Sequence, residues 1–287
     1  MLIEQLPLWF TETNAYLIAP DGPGGEAVLI DAPPDPAAIV ERLATHDLRL
    51  VALINTHGHI DHVGGVSEVL AHAHDHVVGR AHDHRGSASD QVVHAAVGSE
   101  SPRTSEPGST AEAGSTSEAG SPDEAGIPVY IHPNDRHMLL DPIGTSGMFG
   151  RYLADLDVSP PELICDLDDG EVVSGAGMQF TVLHTPGHTK GSTCLLMELD
   201  GQQVLFSGDH LFAGSIGRTD LPGGSFDELM DSMQAKVLPL DDRTAVAHAQ
   251  VVHGLAAAEL TGDLDLFDAV GELEQPQRAR ERLRAEV

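Results

Sequence analysis

The run LRLVALINT, residues 48–56, constrains this chain more than any other stretch. It is almost continuously apolar, so it needs cover on both faces, as a strand does in a sheet with a layer on each side. It runs straight into HGHIDH, which sets three imidazoles and one carboxylate within six positions. His57 and His59 are two residues apart, so extended backbone points them the same way, while His62 follows Asp61 into the next turn. Four donor side chains thus leave the end of one buried strand. Neutral imidazole and carboxylate suit zinc, iron or manganese, and the absence of thiolates argues against a purely structural zinc site.

The flanking sequence predicts an α/β protein. AYLIA and AVLIDAP, separated by PDGPGG, predict a β-hairpin. In DPAAIVERLATHD, Ala38, Ile39, Arg42 and Leu43 fall at helical spacing. GGVSEVLAHA predicts a short helix and GIPVYIHP another short strand. In the second half MQFTVLHT, STCLLMEL and QQVLFSGD are predicted strands, and SFDELMDSMQAKVLPL an amphipathic helix opened by a serine cap. Strands with intervening helices in both halves predict two packed sheets with helices outside.

Between the halves the character changes. Residues 72–125 hold a His-rich tract with His72, His74, His76, His82, His84 and His94, followed by three near-copies of a six-residue unit from Gly108 to Ala125. The repeats carry almost no large apolar side chains, too few to offset the entropy of ordering them. Residues 72–125 are therefore expected to form a disordered insertion within one domain, whose halves are residues 1–71 and 126–258. A charged, acidic tail, 259–287, follows. The histidines of the tract can bind zinc, nickel or copper loosely; a solvated polar loop that titrates near neutral pH is the simpler expectation.

Composition excludes several classes of function. Asp and Glu total 45 against 15 Lys plus Arg, a formal charge of -30, which opposes binding to a phosphate backbone or an anionic membrane. The N-terminal stretch MLIEQLPLWFTETNAYLIAP lacks a basic start before an apolar core, and no run approaches the roughly 20 apolar residues that span a bilayer. A cytoplasmic protein with no nucleic-acid or membrane partner is expected. Cys165 and Cys194 are the two cysteines, expected as free, buried thiols.

Two further segments share the pattern of an apolar run ending in a donor. HTPGHTKGS puts His188 behind a Pro-Gly turn, and LFSGDHLF puts Asp209 at the end of another predicted strand. In that order, and with the early VLIDAP, the segments THGHIDH, TPGHTKGS, SGDHLF and GSIGRTDLPGG resemble the metallo-β-lactamase superfamily, and within it the glyoxalase II-like (hydroxyacylglutathione hydrolase-like) branch. The resemblance covers about residues 3–70 and 126–246. It implies an αββα four-layer sandwich with a binuclear site between the sheets. His57, His59 and His188 would bind the first metal, and Asp61 and His62 the second, with Asp209 bridging. Two zinc ions per chain are expected, iron or manganese being the alternatives.

Two divalent cations sharing a water lower its pKa far below the bulk value and polarise a carbonyl. A small thioester suits this chemistry because its thiolate leaves readily, and Asp61 or Asp209 would hold the attacking water in line. The implied reaction is hydrolysis of S-acyl thiol conjugates by hydroxide formed at the metals. The same ligand motif occurs in mononuclear iron persulfide dioxygenases of the superfamily, which are the alternative reading, and a metal-binding protein with a compromised site is another. The family pattern closes its second site with a histidine where ungapped alignment here gives Gln250. His253, with its following glycine and preceding apolar pair, is the preferred substitute over His248. Asp31, Asn55 and Thr56 are expected to brace the first loop, and Thr189, Lys190 and Ser192 the turn after His188. Arg218 and Asp220 are expected to fix a loop near the site, and His132 and His137 to lie in the core or on the surface.

Overall fold

The computed structural model describes residues 1–73, 126–147, 150, 153, 155–199, 201–212 and 215–250. Two sheets dominate. The first holds β1 (Leu2–Leu8), β2 (Thr13–Ala19), β3 (Glu26–Ile30), β4 (Arg49–Ile54), β5 (Val129–Ile131) and β6 (Ile164–Asp166), in that order across the sheet. β1, β2 and β3 pair antiparallel; from β3 onward the pairing is parallel, with helix α1 (Ala37–Thr45) making the crossover to β4. The second sheet runs β13 (Ala245–His248), β10 (Gln202–Gly208), β9 (Thr193–Leu199), β8 (Met178–His184), β7 (Val172–Gly175). It is antiparallel except between β10 and β13. A small hairpin, β11 (Leu211–Phe212) and β12 (Ser215–Ile216), follows β10.

The period of two along each strand divides the apolar residues between layers. On β2, Ala15, Leu17 and Ala19 face α1 and its neighbours, packing with Ile39, Leu43, Val63 and Val69. Tyr16 and Ile18 face the other way, into a core shared with Phe180, Val182, Leu195 and Phe206 of the second sheet. On that sheet Cys194 and Leu205 point outward again, onto Met233 and Val237. Three apolar layers separated by two sheets make the expected αββα four-layer sandwich. The inner layer explains why LRLVALINT lacks alternation: Leu50 and Leu53 are buried on one face, Ala52 and Ile54 on the other.

The predicted hairpin, α1, β4, β5 and the strands of the second half all form. Residues 66–73 are helical, so the helix predicted after the histidine cluster reaches His72 and Ala73. The rest of the predicted insertion, 74–125, and the predicted tail, 259–287, lie outside the described residues. The helix predicted after Ser225 divides in two. Its α-helical part, α4, covers Phe226–Ser232, with the Ser225 hydroxyl accepting from the Glu228 N–H, and Met233–Val237 continue as a π-helical turn. No helix among the described residues is long and apolar enough to cross a membrane.

Strand direction decides where function can sit. β1, β3, β4 and β5 all run toward one rim of the first sheet, and β8, β10 and β13 toward one rim of the second. The two rims are pinned together where the Thr193 N–H and hydroxyl both donate to the Thr56 carbonyl, at 2.8 and 3.0 Å. Ligands in parallel α/β sheets bind beyond the carboxyl ends of the strands, and the donor-rich segments emerge there.

Candidate metal centre

After β4 the chain turns through His57, Gly58 and His59 into the one-turn helix α2 (Ile60–Val63), which carries Asp61 and His62. The loop after β8 brings His188, and the residue after β10 is Asp209. His57 Nε2 lies 3.1 Å from His59 Nδ1, which in turn lies 2.8 Å from His188 Nε2. Asp209 reaches His188 Nε2 with Oδ2 and His62 Nε2 with Oδ1, both at 3.3 Å. Asp61 Oδ2 stands 3.7 Å from His62 Nε2. Two overlapping donor groups result: His57, His59 and His188, and His57, His62 and Asp209. His57 belongs to both, where the family resemblance implied the first alone.

Outer hydrogen bonds fix the rings so that, in each neutral imidazole, the inward nitrogen is the one with the lone pair. His62 Nδ1 meets Asp31 Oδ2 at 2.8 Å, His188 Nδ1 donates to the Arg218 carbonyl at 2.8 Å, and His57 Nδ1 meets the Thr56 hydroxyl at 3.2 Å. Asp31 sits at φ 59°, a backbone region rare for non-glycine residues, and accepts from both the N–H and the hydroxyl of Thr56. The buried atoms His62 Nε2 and Asp209 Oδ1 lack a hydrogen-bond partner among the described residues. Buried polar atoms are rarely left so. Inward-facing lone pairs around orphaned, buried donors fit a divalent cation, and nitrogen and oxygen donors without thiolate suit zinc, iron or manganese.

Electrostatics separates the two groups. Burial pushes His57 well below the ordinary imidazole range, with His62, His188 and His59 adding to the effect. His59 is lowered to about 4, by burial and then by His188. Both rings are neutral at pH 7. Burial also acts to lower His62, but Asp31, Asp61 and Asp209 outweigh it and hold its pKa well above the ordinary value. Asp209 is kept ionised: burial would raise its pKa, but His62 and then His188 bring it down.

Beneath the loops lies a carboxylate that sequence reasoning missed. Asp135, at the start of helix α3 (Arg136–Leu140), is 1% exposed. Its Oδ2 accepts from the Gly58 N–H at 3.0 Å and the Thr189 hydroxyl at 2.6 Å, and its Oδ1 from the Gly191 N–H at 2.8 Å. A Cβ on Gly191 would stand 2.5 Å from the Asp135 carboxyl carbon, so the approach requires glycine. One buried side chain thereby ties the loop of His57 and His59 to the loop of His188. The only available signal was its place just past β5, on the rim the other donors use.

The remaining predicted residues sort clearly. Thr56 braces Asp31 as described, and Asn55 donates to the Tyr130 carbonyl at 3.3 Å. Ser192 accepts from the Thr189 N–H at 3.0 Å, and Lys190 is exposed and paired with Glu228 at 2.8 Å. The Arg218 guanidinium and Asp220 pair at the surface at 2.7 Å, while the Arg218 backbone orients His188. His132 stacks on His184 with centroids 3.9 Å apart, and His137 is exposed. His248 is buried in β13 with Nδ1 3.1 Å from the Leu211 carbonyl and belongs to neither donor group; His253 lies outside the described residues. The backbone of Gln250 bridges to Thr13. Of the cysteines, Cys165 is partly exposed and Cys194 is buried, its thiol pushed up to about 12 by burial.

Comparison with known proteins gives a consistent picture. The Metallo-beta-lactamase superfamily model matches residues 8–248. GloC of Haemophilus influenzae, a hydroxyacylglutathione hydrolase, is 27% identical over 235 residues, 82% of this chain and 79% of that one. Among solved structures, the BLEG-1 B3 metallo-β-lactamase is 30% identical with TM-score 0.58, over 88% of this chain and 92% of that one. TTHA1623, solved in a di-iron-bound form, is 26% identical with TM-score 0.57, over 87% and 93%. With its fold, its donor set and the family match in agreement, the chain belongs to the metallo-β-lactamase superfamily.

Proposed function

We propose that this chain is a metal-dependent hydrolase of small thioesters, of the S-acyl thiol-conjugate kind that hydroxyacylglutathione hydrolases cleave. The observation that carries the proposal is the convergence of His57, His59, His188 and Asp209, four residues scattered along the sequence, with their donor atoms turned inward. His57, His59 and His188 would hold one cation, and His62 and Asp61 a second, with Asp209 between them. Divalent cations so held bring the pKa of water toward neutrality and polarise a carbonyl oxygen.

The protein's own groups supply the rest. Asp209 and Asp61 are carboxylates at the centre and edge of the donor set, placed to accept a hydrogen bond from water and keep it in line with the substrate carbonyl. No protein nucleophile is called for. The Cys194 thiol is held protonated and hydrogen-bonded within the core. A thiolate leaving group needs no proton to depart, so the reaction does not require a general acid. His210, buried next to Asp209 with its pKa lowered to about 4 by burial and then by His188, is neutral and unsuited to that role. The likeness to GloC supports thioesters as the substrate class, while the likeness to BLEG-1 makes β-lactams the control to run beside them.

Purified chain with its metal content measured, assayed against thioesters including S-lactoylglutathione, a β-lactam, a lactone and glutathione persulfide under oxygen, tests the proposal. Thioester turnover that disappears in folded His59→Ala protein is the expected outcome. Metal-loaded protein that leaves every thioester intact while consuming oxygen with the persulfide, or opening the lactam, would overturn it.

A further inference from the structure

Asp61, a ligand of the second cation in the reading above, stands outside both donor groups, its Oδ2 3.7 Å from His62 Nε2. The rings of His57, His62 and His188 each have an outer partner that fixes their direction. Asp61 is held from a different quarter: the Thr13 hydroxyl, 48 residues away in sequence, lies 3.1 Å from its Oδ2. Thr13 is fully buried at the start of β2, and its Oγ1 is also 2.9 Å from the Thr11 hydroxyl. A hydroxyl has one proton to give, and a carboxylate is the stronger acceptor. Thr13 therefore gives its proton to Asp61 in preference to the Thr11 hydroxyl, linking the start of β2 to the metal-site rim.

The backbone around Thr13 is fixed on two sides. It pairs with Leu8 across the hairpin and bridges to Gln250, and the next residue, Asn14, donates its N–H to the Ala249 carbonyl at 2.7 Å and its side chain to the His248 carbonyl at 2.9 Å. The turn itself holds Trp9 and Glu12 at φ 62° and 53°. At a fully buried position between two strands a valine would pack as well as threonine, so packing does not account for the hydroxyl.

We propose that Thr13 is the positioning residue for Asp61, and that its hydroxyl sets how tightly the second cation is held. The inference rests on the reading of the centre as a two-cation site. It makes the start of β2 and the segment after β13 part of the second cation's support, although neither is required for the first.

The test uses full-length chain and zinc or cobalt, with stoichiometry and affinity measured by competition against a chromogenic chelator and thermal unfolding followed in parallel. Thr13→Val should keep the first equivalent at wild-type affinity and weaken the second at least tenfold, and Thr13→Ser should restore it. Unchanged affinity for both equivalents in Thr13→Val, or equal weakening of both together with a lowered melting temperature, would overturn the proposal. Wild-type chain binding a single cation would overturn it as well while leaving the first site standing, and wild-type chain binding none would remove the metal-site reading itself.

Discussion

Asp135 joins Gly191 across the ends of the two sheets: its Oδ1 accepts the Gly191 N–H at 2.8 Å while its other oxygen holds Gly58 at 3.0 Å. The two glycines flank the histidine-bearing loops of different sheets, so this carboxylate fixes the spacing of the three-histidine group without belonging to it. Asp135→Ala strips an acceptor from two backbone N–H groups and the Thr189 hydroxyl, all buried. At about 1–3 kcal/mol for a buried donor left unsatisfied, and with water replacing part of the loss, about 3 kcal/mol of stability should go. Urea denaturation checks that. Cation affinity at the three-histidine group should fall about 10–100-fold, the usual cost of losing an outer support. An affinity unchanged in protein that remains folded would show that the loops hold their spacing without Asp135.

Asp31→Asn isolates the tautomer of one ring. Asn tolerates the left-handed backbone that Asp31 adopts, so the fold should be retained. Its carbonyl oxygen can still accept from the Thr56 N–H, which turns the amide NH2 toward His62 Nδ1. His62 must then accept at Nδ1 and carry its proton on Nε2, the atom that faces Asp209. The second cation should weaken about 10–100-fold and the first should stay. Elemental analysis after dialysis distinguishes this from loss of both.

These two carboxylates also mark where the sequence was legible. The donors themselves could be read because each ends an apolar run and their residue types are rare in such places: His57, His59, His188 and Asp209 needed only strand direction to be brought together. The layers could be read because β2, β4 and β10 are long and buried. Asp31 gave a partial signal, sitting at the end of β3. Asp135 gave almost none, since its three partners come from segments 54 to 77 residues away and nothing in PNDRHM has a period. β1 was missed for a physical reason as well. It is an edge strand, mostly half-buried and containing Pro7, so it lacks the dense apolar pattern of the strands beside it. The π-helical turn at Met233–Val237 keeps apolar residues facing the second sheet and so looks helical to any periodic reading.

Gly217 should not tolerate a side chain. A Cβ there would stand 1.7 Å from the Asp209 carbonyl oxygen and 3.3 Å from His188 Nδ1. Backbone must move to relieve the first contact, and the residue displaced is the one lying between the two donor groups. Gly217→Ala should therefore lose at least about 1–3 kcal/mol, the range for overpacking a filled site, and should bind both cations poorly. Retained binding at wild-type stoichiometry, measured with thermal unfolding alongside, would show that the hairpin β11–β12 can shift away without disturbing Asp209.

Acid should remove the cations in two stages, the second group first. A cation entering the three-histidine group meets His57 and His59 already neutral at pH 7, since burial holds one well below the ordinary range and the other at about 4. It displaces no proton from them. Protonation of these two rings begins to compete only as the pH falls toward the His59 value. A cation entering the other group meets His62, whose pKa the carboxylates of Asp31, Asp61 and Asp209 hold well above its ordinary value against the effect of burial. That proton must leave before Nε2 can coordinate, so each unit of acid weakens the second cation across the neutral range, by about tenfold per unit for one displaced proton. Titration calorimetry in buffers of different ionisation enthalpy should show more protons released with the second equivalent than with the first, the excess of about one coming from His62. Two equivalents with the same proton release and the same acid midpoint would mean that His62 is not the residue separating them.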